Sequence, residues 1–119
     1  MITPVFRIFD VNKAKDFYEE FLGFQKDWSH TFDENNPSYI QVSLHGIALH
    51  LSEHHGDASP GSSVRLKMDG IEAFHKELLE KDYPYMNPEL EEAPWNTIEC
   101  KVVDPSYNTF IFYEDITTK

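Results

Sequence analysis

Cysteine is nearly absent from this sequence. Its 119 residues hold one, Cys100, so no internal disulfide can form and a reducing, cytoplasmic setting is expected. Long apolar runs are missing too: none approaches the roughly 18 residues of a membrane-spanning helix. The opening MITPVFRIFD has no basic stretch leading into an apolar one, so no export signal is expected there. Basic residues are scarce, with 10 Lys and Arg against 21 Asp and Glu and a formal charge of −11. Such a chain repels phosphate backbones and anionic membranes, so neither nucleic acid nor a membrane is expected as a partner. No Ser-His-Asp order, phosphate loop or basic stripe supports a hydrolase, kinase or nucleic-acid role.

What is present is enough for a core. Apolar residues make up 40% and aromatics 14%, which fits one compact domain over 1–119 and argues against disorder. The stretch IALHLSEHHGDASPG, from Ile47 to Gly61, organises the rest. It begins as a strand, with Ile47, Leu49 and Leu51 on one face and His50 on the other. It ends in turn chemistry: two glycines, a proline and small polar residues. The chain on either side repeats one plan.

Before it, Pro4 to Phe9 is extended, and Asp10 stands where a helix cap or a turn belongs. Residues 12–22 are predicted helical, burying Ala14, Phe17, Tyr18, Phe21 and Leu22, and Gly23 stops the helix. Strands follow at Phe24 to Phe32, Tyr39 to Leu44 and from Ile47. After the join come a strand from Ser63 to Met68, then Asp69-Gly70 and a helix from about Ile71 to Lys81. Its predicted buried stripe is Ile71, Phe74, Leu78 and Leu79. Tyr83 to Leu90, broken by Pro84 and Pro88, reads as an irregular edge strand at best. Thr97 to Val103 and Thr109 to Glu114 are strands around a turn at Asp104–Asn108.

The expected fold is α+β: two tandem βαβββ modules, about 1–53 and 62–114, around a half-open barrel-like cleft with the helices outside. The faces turned from the helices carry Thr3, Val5 and Arg7; Tyr39, Gln41 and Ser43; Ala48, His50 and Ser52; Ser63, Arg65 and Lys67; Thr97, Glu99 and Lys101; and Thr109, Ile111 and Tyr113. These faces are too polar for a packed core and suit a ligand-lined cleft.

Three segments carry a family resemblance: PVFRIFDVNKAKDFYEEFLGF, LHLSEHHGDASPGS and PWNTIECKVVDPSYNTFIFYE. Through them the chain resembles the vicinal-oxygen-chelate superfamily. Within it, the likeness is to the glyoxalase/bleomycin-resistance group and its bleomycin-binding branch. The resemblance implies paired βαβββ modules, a homodimer with clefts at the subunit interface, often with the N-terminal strand exchanged, and an aromatic of the Pro-Trp motif, here Trp95, stacked on the ligand. Gly is usual after that motif and in the turn after Asp104-Pro105; this chain has Asn96 and Tyr107 there. Metal enzymes of the superfamily place ligands at positions that here are Thr3, His50, Ser63 and Ile111. Only His50 is a good ligand, whereas a catalytic zinc takes about three protein ligands. The expected protein therefore uses no metal or other cofactor. It binds a small molecule, either a bleomycin-like glycopeptide or another cationic aromatic ligand.

The candidate ligand-binding residues are Arg7, Phe32, Tyr39, His50, Ser63, Trp95, Glu99 and Tyr113. An indole beside carboxylates suits a planar cation. The alternative for Trp95 is a plug in the barrel mouth. Trp28 and Phe32 are either a second stacking surface or core. His50 meets a ligand or pairs with Tyr39, Ser52 or Glu99. Glu99 meets a ligand cation or pairs with Arg7, Arg65 or Lys101. His54 and His55 are adjacent and point apart on an extended chain, so they are read as structural. Cys100 falls on the helix side as an inert thiol. The alternative functions are an enzyme of the same superfamily, of lyase, isomerase or dioxygenase type, and a structural dimer without a small ligand.

Overall fold

The computed structural model describes residues 2–31 and 37–116. Contacts divide the chain into two compact units: Met1–Ser62 with Asp104–Asn108, and Ser63–Val103 with Thr109–Lys119.

The first unit holds β1 (Val5–Arg7), α1 (Val11–Lys15), β2 (Gln25–Thr31), β3 (Ser38–Leu44) and β4 (Ile47–Ser52). The strands lie in the order β1-β4-β3-β2, with β1 parallel to β4 and the other pairs antiparallel. Alternation decides the faces. Phe6, Ile8, Ile40, Val42, Leu49 and Leu51 are buried on one side. His45 and Gly46 both take positive φ, 50° and 81°, which is the tight-hairpin geometry the His-Gly pair predicts between β3 and β4.

Asp10 caps α1 as expected, its Oδ1 accepting from the Lys13 N–H at 3.0 Å. The helix then departs from the sequence reading. Asp16–Phe21 is π-helical, and the Leu22 N–H reaches the Phe17 carbonyl at 2.9 Å. The wider turn carries Phe17, Tyr18 and Phe21, all buried, with the Phe17 ring edge-on to Tyr18 at 5.1 Å. Periodicity cannot separate 3.6 residues per turn from one wider turn over so short a span.

The second unit repeats the plan with β5 (Ser63–Lys67), α2 (Ile71–Glu80), β6 (Leu90–Ala93), β7 (Thr97–Val103) and β8 (Thr109–Asp115). Its order is β5-β8-β7-β6, again with the first strand parallel to the last. α2 lies on β7 and β8, where Phe74 meets Phe112 at 4.9 Å between ring centres. Ile71, Phe74 and Leu78 are buried; Leu79, expected in the stripe, is 42% exposed, because it turns past the edge of the face that its neighbour Leu78 fills. Asp69 does not cap this helix. Gly70 stands at the cap, and Glu114 of β8 accepts from the N–H groups of Gly70 and Ile71 at 3.2 and 3.3 Å. The regular edge strand falls at Leu90–Ala93, after the proline-broken stretch, where prolines no longer deny the ladder its donors. Cys100 is buried, and burial raises its thiol pKa to about 11, consistent with an inert core position.

Candidate functional site

Each sheet keeps one face off its helix, and each such face carries a side-chain cluster.

On the first sheet the cluster is a directional chain. Gln41 Nε2 donates to Asp27 Oδ2 at 3.0 Å, so its Oε1 turns to His50 Nε2 at 2.9 Å. An amide oxygen can only accept, so Nε2 carries the proton. His50 Nδ1 then accepts from the Tyr39 hydroxyl at 2.8 Å. Ser43 Oγ donates to the other oxygen of Asp27 at 3.0 Å. Asp27 reaches this face because β2 is irregular between Lys26 and Trp28, as a bulge allows. The Trp28 indole lies parallel to the Tyr39 ring at 6.0 Å and edge-on to His50 at 5.4 Å. It is 42% exposed, so it is a surface ring and not core. Burial raises the Tyr39 pKa, with Asp57 adding to the effect.

Arg7 takes no part in this chain. Its Nε donates to the Ile8 carbonyl and its guanidinium covers Phe9 at 4.9 Å. Ser52, expected to line the face, is buried instead: its hydroxyl donates to Asp57 at 2.7 Å and accepts from the His54 N–H, holding the following loop. Phe32 lies outside the described residues. A pocket of about 90 Å³ opens on the helix side of this sheet, between Tyr18, Lys15 and Lys26 and a floor of Ile40, Val42 and Leu51.

On the second sheet the cluster centres on Glu99. One oxygen, Oε2, accepts from Arg65 Nη2 at 2.6 Å, Thr97 Oγ1 at 2.6 Å and Trp95 Nε1 at 2.8 Å. Arg65 is the main cause that lowers the Glu99 pKa to about 2; burial opposes it, and Thr97 and Trp95 assist. Of the partners read from the sequence, then, Glu99 pairs with Arg65. The guanidinium also faces Tyr113 at 4.6 Å and Trp95 at 5.9 Å.

Trp95 sits in the three-residue turn between Ala93 and Thr97 that joins β6 to β7. Asn96 takes φ 70° there, the left-handed residue such turns need. The indole is 62% exposed yet held at its N–H, so it is a fixed surface ring. Ser63 opens β5, pairs with Thr109, and does not join the cluster.

The sequence thus names Tyr39 and His50 on one sheet, and Trp95, Glu99 and Tyr113 on the other, that do come together. It offers Arg65 only as one of three partners for Glu99, offers Trp28 as a stacking surface or core, places Gln41 on the face without a role, and does not name Asp27. Register could have found Arg65, since it stands in the row beside Tyr113 and Glu99. Asp27 depends on a bulge that alternation hides.

The superfamily metal positions fit no metal ion. His50 has both ring nitrogens engaged, Thr3 and Ser63 offer weak hydroxyl donors, and Ile111 offers none. Among the described residues there is no group of three or more His, Cys, Asp or Glu suited to a metal ion. Nor do they include a helix long and apolar enough to cross a membrane.

A family model described as "Glyoxalase superfamily protein" matches residues 1–119. No curated protein matches the chain closely enough to count as a relative. Among solved structures, a bleomycin-binding protein complexed with bleomycin is similar at TM-score 0.71 and 19% identity, over 97% of this chain and 98% of that one. A glyoxalase-related enzyme from Clostridium phytofermentans reaches TM-score 0.74 at 22% identity, over 97% and 94%. An antibiotic-binding protein from Streptomyces sp. CB03234 reaches 0.70 at 22% identity, over 95% and 93%. At these identities the likeness shows the fold.

Proposed function

Since the chain belongs to the glyoxalase superfamily, we propose that it is a metal-independent binding protein that sequesters an aromatic small molecule, a bleomycin-like antibiotic or a related compound. One observation carries this: His50, the single good donor among the four metal positions, spends both ring nitrogens on Tyr39 and Gln41. The exposed rings support the same reading. Trp28 is braced by Tyr39 and Trp95 by Glu99, and a flat ring fixed before the ligand arrives loses little freedom on stacking. The proposal includes a homodimer in which a second copy covers exposed aromatic surface, and a cytoplasmic setting that suits the lone thiol.

The test is calorimetric titration of the purified, metal-analysed protein with metal-free and copper-bound bleomycin, with tryptophan fluorescence in parallel. Saturable binding without bound metal is expected, and Trp95→Ala should weaken it by about 1–3 kcal/mol while sparing the fold. Near-stoichiometric metal held by His50 would sink the reading. So would a Trp95→Ala protein that loses thermal stability and keeps its affinity.

A second reading has its own observation. The chain Tyr39–His50–Gln41–Asp27 orients an imidazole with one nitrogen on a phenol, an arrangement able to move a proton. It favours a lyase or isomerase working without metal. A dioxygenase-type enzyme would need an ion that the donor set does not fit. Deuterium exchange into a bound carbon acid, lost in His50→Asn, would favour the enzyme.

A further inference from the structure

The register of the second sheet places Arg65, Ile111 and Lys101 in one row, side by side on β5, β8 and β7. Opposed residues share a face, and strands lie about 4.8 Å apart. The two cations therefore flank Ile111 at a backbone separation of roughly 10 Å. The neighbouring row is Lys67, Tyr113, Glu99 and Glu91.

The charges on this face are unequally committed. Glu99 already takes three donors on one oxygen, so an incoming cation would have to compete with a guanidinium held at 2.6 Å. Lys67 and Asp115 are bound to one another at 2.7 Å. Glu91 stands on the edge strand, beyond Glu99. Arg65 gives Nη2 to Glu99, while its Nε and Nη1 meet no acceptor among the described residues. Lys101 is exposed and has no partner among them. Beside the half-buried Ile111 and Tyr113 the groups left over for a ligand are thus donors of positive charge, since the free carboxylate of Glu91 stands two strands from β8, on the edge. A guanidinium fork matches a carboxylate and an ammonium adds a point charge.

We propose that the ligand of this face is a planar aromatic acid, its ring over Ile111 and beside Tyr113, whose ring already meets the Arg65 guanidinium, and its carboxylate between Arg65 and Lys101. This rests on the reading of the face as a small-molecule site and fixes the sign of the ligand's charge. That sign opposes the protein's own: with a net charge of −11, general attraction would select a cation. Only the local pair selects an anion.

The experiment uses the full chain and two probes with one ring and opposite charge, 2-naphthoate and 2-naphthylmethylammonium, titrated by calorimetry. The acid is expected to bind at least about tenfold more tightly than the amine, the ratio that one charged hydrogen bond supplies. Lys101→Gln, an exposed residue whose loss leaves the fold intact, should weaken the acid several-fold. Arg65→Gln should abolish the preference, since it removes the fork and frees Glu99 for the amine. Glu99→Gln should leave acid binding intact or tighten it. Preference for the amine, with binding still lost in Trp95→Ala, overturns the charge assignment and keeps the small-molecule site. Acid binding unchanged in both Lys101→Gln and Arg65→Gln overturns the assignment to this face. If neither probe binds and bleomycin does not either, both the assignment and the small-molecule reading fail.

Discussion

The hydroxyl of Tyr18 donates to Oδ2 of Asp104 at 2.5 Å, joining residues 86 apart in sequence. Both side chains are buried. Burial, with the Asp104 charge behind it, pushes the phenol pKa well above its ordinary value, so the proton stays on Tyr18. The same carboxylate accepts from the backbone N–H groups of Ser106 and Asn108 and from Asn108 Nδ2. Tyr18→Phe removes one donor from a buried, charged acceptor. A loss of about 1–3 kcal/mol is expected, read as a lower denaturant midpoint at unchanged slope. An unchanged midpoint would mean that the bond contributes nothing net.

Tyr107 takes φ 69° and is 76% exposed, so no packing compensates its left-handed backbone. Such a conformation costs a bulky residue roughly 1–2 kcal/mol, and glycine nothing. Tyr107→Gly should therefore raise stability by up to about 1 kcal/mol, after the extra freedom glycine gives the unfolded chain is deducted. Asn96→Gly, at φ 70°, should change little, because asparagine tolerates this region. Thermal melts of the two variants check the contrast.

The Arg65–Glu99 pair predicts an acid limb. The Glu99 pKa falls from an ordinary 4.5 to about 2 on folding. A carboxylate whose folded value is depressed contributes its stability fully above the unfolded value and loses it as pH drops through the folded one. The stability difference between wild type and Glu99→Gln should then be constant above pH 4.5 and shrink toward pH 2. Unfolding curves across that window give the answer; a difference independent of pH would assign the effect to hydrogen bonding alone.

Glu114 caps α2 from another element, with each carboxylate oxygen on one backbone N–H. Glu114→Ala removes the acceptor of both N–H groups. The expected cost is about 1 kcal/mol, as for loss of a side-chain cap, with faster amide exchange at Gly70 and Ile71. Asp69→Ala should leave those amides unchanged.

The strands that bury one face were legible because their apolar residues alternate: Phe110 and Phe112 mark β8, and Leu49 and Leu51 mark β4. The Asp10 cap was legible because its partner is local. What escaped depended on distant or unpatterned groups. The sequence of β6 is Leu-Glu-Glu-Ala, and a charged edge strand carries no apolar alternation to find. The cap of α2 comes from Glu114, which no local rule connects to Gly70. At the site, the sequence leaves Glu99 open to a ligand cation or to Arg7, Arg65 or Lys101, and the structure pairs it with Arg65. Which of several cations answers a carboxylate is fixed by register, not by composition.

The turn at Asp104–Asn108 belongs to the first unit, although β7 and β8 on either side belong to the second. Asn108 alone accepts from the Ser62 N–H and donates to the Arg7 carbonyl, while Ser106 takes the Phe9 N–H. A chain cut after Ser62 would thus keep every strand of its sheet and still leave these partly buried groups, and the buried Tyr18 hydroxyl, unanswered. During synthesis the first unit stays unfinished until residue 108 has emerged, by which time β5, α2, β6 and β7 have already left the ribosome. Its completion is therefore timed by its neighbour, and halves of this protein expressed separately are expected to need one another, or a supplied Asp104–Asn108 peptide, to reach full protection from exchange.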